Sequence, residues 1–119
     1  MAPTMTATAK TRIDIDERAR ERLIALLNRQ AADNADLHSQ TKQAHWNVKG
    51  PDFMQLHLLF DQVAAVIEPF TDELAERVTA LGGYARGTVR MAAANSTLPE
   101  LPEEPNDGAT HLKALADRW

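Results

Sequence analysis

Cysteine is absent from the chain, which excludes a disulfide scaffold, a thiol nucleophile and a cysteine-type zinc site. Aromatic residues are scarce, at 5%. With alanine and leucine plentiful, that balance favours helix over sheet. Positive charge is not in excess: 13 Lys and Arg stand against 17 Asp and Glu, a net charge of −4. Any electrostatic grip on DNA must therefore be local rather than spread over the whole surface. No apolar run approaches the roughly 18 residues of a membrane span, and residues 1–12 lack an apolar stretch of signal-peptide length. The expectation is a soluble, cytoplasmic protein with no membrane partner. What remains is 119 residues, 44% hydrophobic and 25% charged, enough for one small domain.

Residues 1–13 are small, polar and aperiodic, and read as a flexible tail. Lys10 and Arg12 make it mildly basic, which serves either solubility or a DNA-touching arm. Residues 14–119 form the domain. A helix is expected to start at Asp14 or Asp16, either of which can cap it. Leu23, Leu26, Leu27, Ala31, Ala35, Leu37, Ala44 and Val48 then recur at helical spacing. Gly50-Pro51 must end it. Asp52 is a candidate cap for a second helix, with Gln55 completing a capping box. The apolar pattern runs on from Phe53 to Leu81 through Pro69, where a kink is expected rather than a break. Gly82-Gly83 closes it. Residues 84–94 suggest a short helix. Residues 95–107, with three prolines, four acids and no base, suggest an extended connection. A last helix, capped by Asn106 or Asp107, runs to Trp119.

Four residues of the second helix carry candidate chemistry: His57, Asp61, Asp72 and Glu76. At about 100° per residue, the last three lie about 40°, 60° and 100° from His57, within a single stripe. An i,i+4 acid pair can be ordinary solvated surface. Like charges at that spacing nevertheless repel, a mild cost that a cation between them removes. His45 lies twelve residues before His57, and the midpoint is the turn itself. In an antiparallel hairpin His45, His57 and Asp61 therefore converge. Asp72 and Glu76 are centred about fifteen residues further along, roughly 22 Å away, too far for the same metal in the same chain. A two-fold dimer resolves this, because an isologous interface sets the His/Asp group of one copy against the Asp/Glu pair of the other. Two imidazoles and three carboxylates suit iron(II), with manganese and zinc as alternatives. The intrachain Glu-x-x-His pairs of an ordinary di-iron bundle do not occur here.

The blocks Thr41-Lys-Gln-Ala-His-Trp-Asn-Val-Lys-Gly-Pro-Asp-Phe53, Leu56-His-Leu-Leu-Phe-Asp61, Asp72-Glu-Leu-Ala-Glu-Arg77, Leu81-Gly-Gly83 and His111-Leu-Lys-Ala-Leu-Ala-Asp-Arg-Trp119 closely resemble the Dps family, the ferritin-like DNA-binding proteins from starved cells. The resemblance implies an all-α, ferritin-like antiparallel four-helix bundle. Here the end of the third helix and the fourth helix are missing, so residues 14–119 are expected to be a partial domain. It also implies a di-iron ferroxidase site with no organic cofactor. By motif, His45, His57 and Asp61 come from one subunit, and Asp72 and Glu76 from its two-fold partner. Trp46 matches an aromatic near that site, with interface packing as its expected role. The implied activity is oxidation of iron(II) by hydrogen peroxide, with ferric iron stored in a twelve-subunit cage and DNA protected from oxidative damage. Two other readings stay open. One is a nucleoid-associated protein that compacts DNA non-specifically through Lys10 and Arg12. The other is a helical interaction module with a structural metal.

Overall fold

A computed structural model describes residues 9–119. Among these the order is α1 (Glu17–Asn47), α2 (Phe53–Ala80), α3 (Val89–Asn95) and α4 (Gly108–Arg118). The described residues contain no strand; Lys49 and Asp107 form a lone bridge. The domain measures 55 × 27 × 20 Å, its length set by the antiparallel pair α1–α2.

Side-chain chemistry at the helix ends accounts for these limits. The Asp16 carboxylate accepts from the Ala19 N–H and starts α1, satisfying a donor the first turn would otherwise leave open. Asp107 does the same for α4, accepting from both the N–H and the hydroxyl of Thr110. Asp52 sits at the N-cap of α2 but makes no side-chain cap bond. The expected capping box with Gln55 is therefore not formed. Gly50 adopts φ +115°, a conformation that costs glycine little, and the chain reverses there. Gly82, at φ +85°, ends α2. A Cβ there would also collide with the Ala9 carbonyl. Pro69 lies inside α2, which continues past it. The short third helix begins at Val89, five residues later than expected, because the Thr88 hydroxyl caps it.

Residue pairs across the hairpin straddle position 51 almost symmetrically. The Arg20 guanidinium donates to the Leu81 carbonyl, and Asn34 donates to the Ile67 carbonyl and the Thr71 hydroxyl. Asp33 and Asp36 accept from Thr97 and Ser96, tying the exit of α3 to the middle of α1. The closed end of the hairpin is plugged by a core of Ala44, Val48, Phe60, Leu101 and Leu115, with Leu56 and Ala114 against it.

The tail expected over residues 1–13 is not free over its last five residues. The Ala9 N–H donates to the Gly82 carbonyl, the Ala9 carbonyl accepts from Arg20, and the Thr11 hydroxyl donates to the Ala80 carbonyl. The physical reason is that helix ends leave carbonyls unpaired, and this segment uses two at the end of α2, those of Ala80 and Gly82. Residues 1–8 lie outside the described residues.

Phe60 is fully buried. Phe60→Ala should lower stability by about 3–5 kcal/mol, the usual cost of emptying an aromatic core position. Chemical denaturation checks this; a loss under about 1 kcal/mol would contradict the packing described.

Candidate metal centre

The last turn of α1 leaves carbonyls without helical partners. Val48 still donates back to Ala44, but the Lys49 N–H turns away to Asn106. The His45 carbonyl is thus open, and the His57 ring fills the gap, its Nδ1 lying 2.8 Å from that oxygen. The contact is reciprocated: His45 Nδ1 bonds the His57 carbonyl. A carbonyl oxygen only accepts, so both Nδ1 atoms must carry the proton. In the neutral form of each ring the lone pair then sits on Nε2, the atom a metal-binding imidazole offers. The rings stack with centroids 3.9 Å apart, and Phe53 stacks on the far face of His57 at 5.0 Å. Neither imidazole can turn without breaking a hydrogen bond and a ring contact.

Asp61, one turn beyond His57, stands at the mouth of this pair. Its Oδ1 is 3.9 Å from His45 Nε2. Donors about 2.0–2.2 Å from one ion lie roughly 3–4 Å from each other, so this spacing fits shared ligation. The same oxygen pairs with Lys42 Nζ at 2.6 Å. That hydrogen bond, more than any other influence, holds the Asp61 carboxyl below its ordinary value; the Lys42, His45 and His57 charges add to it and desolvation opposes it. Lys42 stands four residues from Trp46, and its ammonium lies 6.0 Å from the Trp46 ring centroid. Trp46 itself is largely exposed, at 64%.

Lys42 is a contributor that motif spacing alone does not single out, although it stands at i−3 from His45, on the same helix face. Asp72 and Glu76 are exposed further along α2, and neither joins an ion pair among the described residues. Within one chain, no group of three or more His, Asp or Glu is placed to hold a metal among the described residues. The structure thus stacks His45 on His57 and sets Asp61 beside His45, and leaves Asp72 and Glu76 apart from them.

A long antiparallel helix pair with a His/carboxylate cluster at its closed end defines a ferritin-like helical protein. The ferritin family, described as a ferritin-like domain, matches residues 24–117. The chain is 38% identical over 112 residues to a "DNA protection during starvation protein" of Agrobacterium fabrum, covering 94% of this chain and 69% of that one. Among solved structures it resembles DpsC from Streptomyces coelicolor, with a TM-score of 0.87 at 30% identity over 99% of this chain and 69% of that one. It also resembles a Dps protein from Vibrio cholerae O1, described as a member of a broad superfamily of ferritin-like diiron-carboxylate proteins. That likeness has a TM-score of 0.83 at 26% identity and covers 95% of this chain and 70% of that one. The chain belongs to the Dps family.

Asp61 titrates below 3.8, the ordinary carboxyl value. Its ion pair with Lys42 therefore supports the fold above that value and is lost as pH falls through the lower folded pKa. Lys42→Met should raise the Asp61 midpoint toward the ordinary value. Side-chain carboxyl carbon NMR reads this directly; an unmoved midpoint would mean that Lys42 is not what holds it down.

Proposed function

We propose that the chain oxidises iron(II) at a site shared by two copies. His45, His57 and Asp61 come from one copy, and Asp72 and Glu76 from its two-fold partner. The observation that carries this reading is the reciprocal imidazole–carbonyl pair. It favours in both rings the tautomer that leaves Nε2 for a metal, while among the described residues of one chain no three His, Asp or Glu converge to hold an ion. The stripe geometry supports a partner copy on this face. Asp61, Asp72 and Glu76 lie within about 60° of one another around α2. Met54 and Leu58 share that stripe and are 57% and 52% exposed. Large apolar side chains interleaved with carboxylates suit an interface that buries both the hydrophobes and a bound cation.

Iron is the substrate. Two iron(II) ions each give one electron to hydrogen peroxide; with two protons, two iron(III) ions and two waters result. Pairing the two ions lets both electrons leave together, so no hydroxyl radical is released. The chain's own contribution is to set nitrogen and oxygen donors, keep them deprotonated, and neutralise the ions with three carboxylates. Lys42 neutralises Asp61 until iron arrives and must then leave it. The product iron(III) collects inside a closed assembly of many copies, expected to number twelve in this family, and DNA is spared oxidative damage. The Agrobacterium relative's name, a DNA protection protein, supports this last role. No helix among the described residues is long and apolar enough to cross a membrane.

Direct DNA compaction is the weaker reading. Lys10 and Arg12 are exposed and available, but two cations amount to only a small phosphate grip, with a salt dependence of about two counterions. The chain's net charge of −4 opposes it.

The test is anaerobic loading with iron(II) followed by limiting hydrogen peroxide, with ferric absorbance followed in the near ultraviolet. Fast oxidation of two irons per peroxide is expected. His45→Ala and Asp72→Asn should each slow it by more than about 100-fold, beyond what loss of a supporting residue around a metal costs. Unchanged rates in both variants would overturn the assignment.

A further inference from the structure

His38 stands about two turns before His45 on α1, on the same helix face. Its Nε2 lies 4.0 Å from a carboxylate oxygen of Glu68 on α2. The two side chains are 29% and 74% exposed, and neither has another ion pair or hydrogen bond among the described residues. No Lys or Arg among them is paired with Glu68, whereas Asp61 on the same helix has Lys42. A surface contact between imidazole and carboxylate adds little stability by itself. Its place in the fold gives it a further use.

Around α2, Glu68 lies about 20° from His57, between His57 and Asp61 in the stripe that faces the second copy in the shared-site reading. That register sets His57 against Glu76 of the second copy, and Asp61 against its Asp72. The two-fold axis then crosses α2 midway, between Val66 and Ile67. The two Glu68 residues are thus offset by only about 4.5 Å along the helix direction. Opposite each stands Ala65, exposed in the single chain and too short to fill the space. Two carboxylates therefore meet at the axis, each with one imidazole beside it. Like charges so placed repel, and a cation between them removes that cost.

We propose, resting on that shared-site reading, that the dimer axis carries a further metal site, held by His38 and Glu68 of both copies and suited to zinc. One chain supplies two donors, too few to hold an ion; two chains supply two imidazole nitrogens and two carboxylate oxygens. Four such donors make a closed tetrahedral set, with no position left for an oxidant. Donors on one ion lie roughly 3–4 Å apart, and the 4.0 Å between His38 and Glu68 is at the edge of that range. Magnesium fits less well, because it keeps its waters and takes oxygen rather than imidazole. The ion fastens the two copies at the axis and takes no part in iron oxidation.

The experiment titrates the full chain with zinc chloride and counts bound zinc per chain, with sedimentation to establish the dimer. Glu68→Gln and His38→Asn leave the five ligands of the oxidation site in place. About three zinc ions per two chains are expected for the unaltered chain and about two for each variant, the axis ion being weakened by more than about 100-fold. Helix content and peroxide-driven iron oxidation should be unchanged in both. Since the chain has no cysteine, Glu68→Cys supplies a single thiol that a short bifunctional maleimide should link to its own copy. Crosslinking together with equal zinc content in all three proteins would overturn the axis site and leave the shared centre standing. A monomer, or a dimer that does not crosslink, would overturn both. Slowed iron oxidation in either variant would place the pair in the oxidation centre and overturn the separate site.

Discussion

Two histidine side chains, each bonded to the other's backbone, fasten the end of α1 to the start of α2. The reversal at Gly50 brings the helices back together, but a turn alone leaves the last carbonyls of α1 open and the two rings free to rotate. The crossed imidazole–carbonyl bonds remove both freedoms at once. They also set the register of the hairpin, because only residues equidistant from position 51 can reach each other this way. The core of Val48, Phe60, Leu101 and Leu115 packs beside the same turn, so the two imidazoles are anchored next to buried, close-packed side chains. Preorganised donors are what fast redox chemistry on a bound ion requires, since ligands that must be ordered first cost binding free energy.

The same arrangement underlies the proposal of a site shared by two chains. The helix repeat returns Asp72 and Glu76 to the face of Asp61, but several turns away. A rigid α2 cannot bend them back, and neither carboxylate is neutralised where it stands. Asp61 alone is, through Lys42. Asp61 is thus paired with an ammonium, while Asp72 and Glu76 have no ion-pair partner among the described residues. In the proposed assembly a second copy in antiparallel register would bring the halves together.

Much of this was legible in the sequence because helix ends and helix faces are local properties. Asp16, Asp107, Gly50 and Gly82 mark limits through backbone chemistry that needs no tertiary contact. The equal height of His45 and His57 follows from counting residues across a turn. What escaped depends on partners distant in sequence. Residues 9–13 were read as tail because nothing in their composition announces the open carbonyls at positions 80 and 82 that they occupy. The Asp52–Gln55 pattern suggested a cap that does not form. The pairing of Lys42 is not legible in the sequence because its partner lies nineteen residues away, across the turn. His111 was read as one residue of a family motif; its burial depends on Pro102 and the connection folding over it.

The central claim is that half-sites from two chains make one centre, and mixing two inactive variants tests it most directly. His45→Ala and Asp72→Asn proteins are dissociated together and allowed to reassociate, and peroxide-driven iron oxidation is followed. In a mixed dimer one site carries both lesions and the other carries neither. With random pairing, about a quarter of the wild-type activity should return. Mixed dimers verified by mass but no more active than the separate variants would show that the five ligands do not act across the two-fold axis.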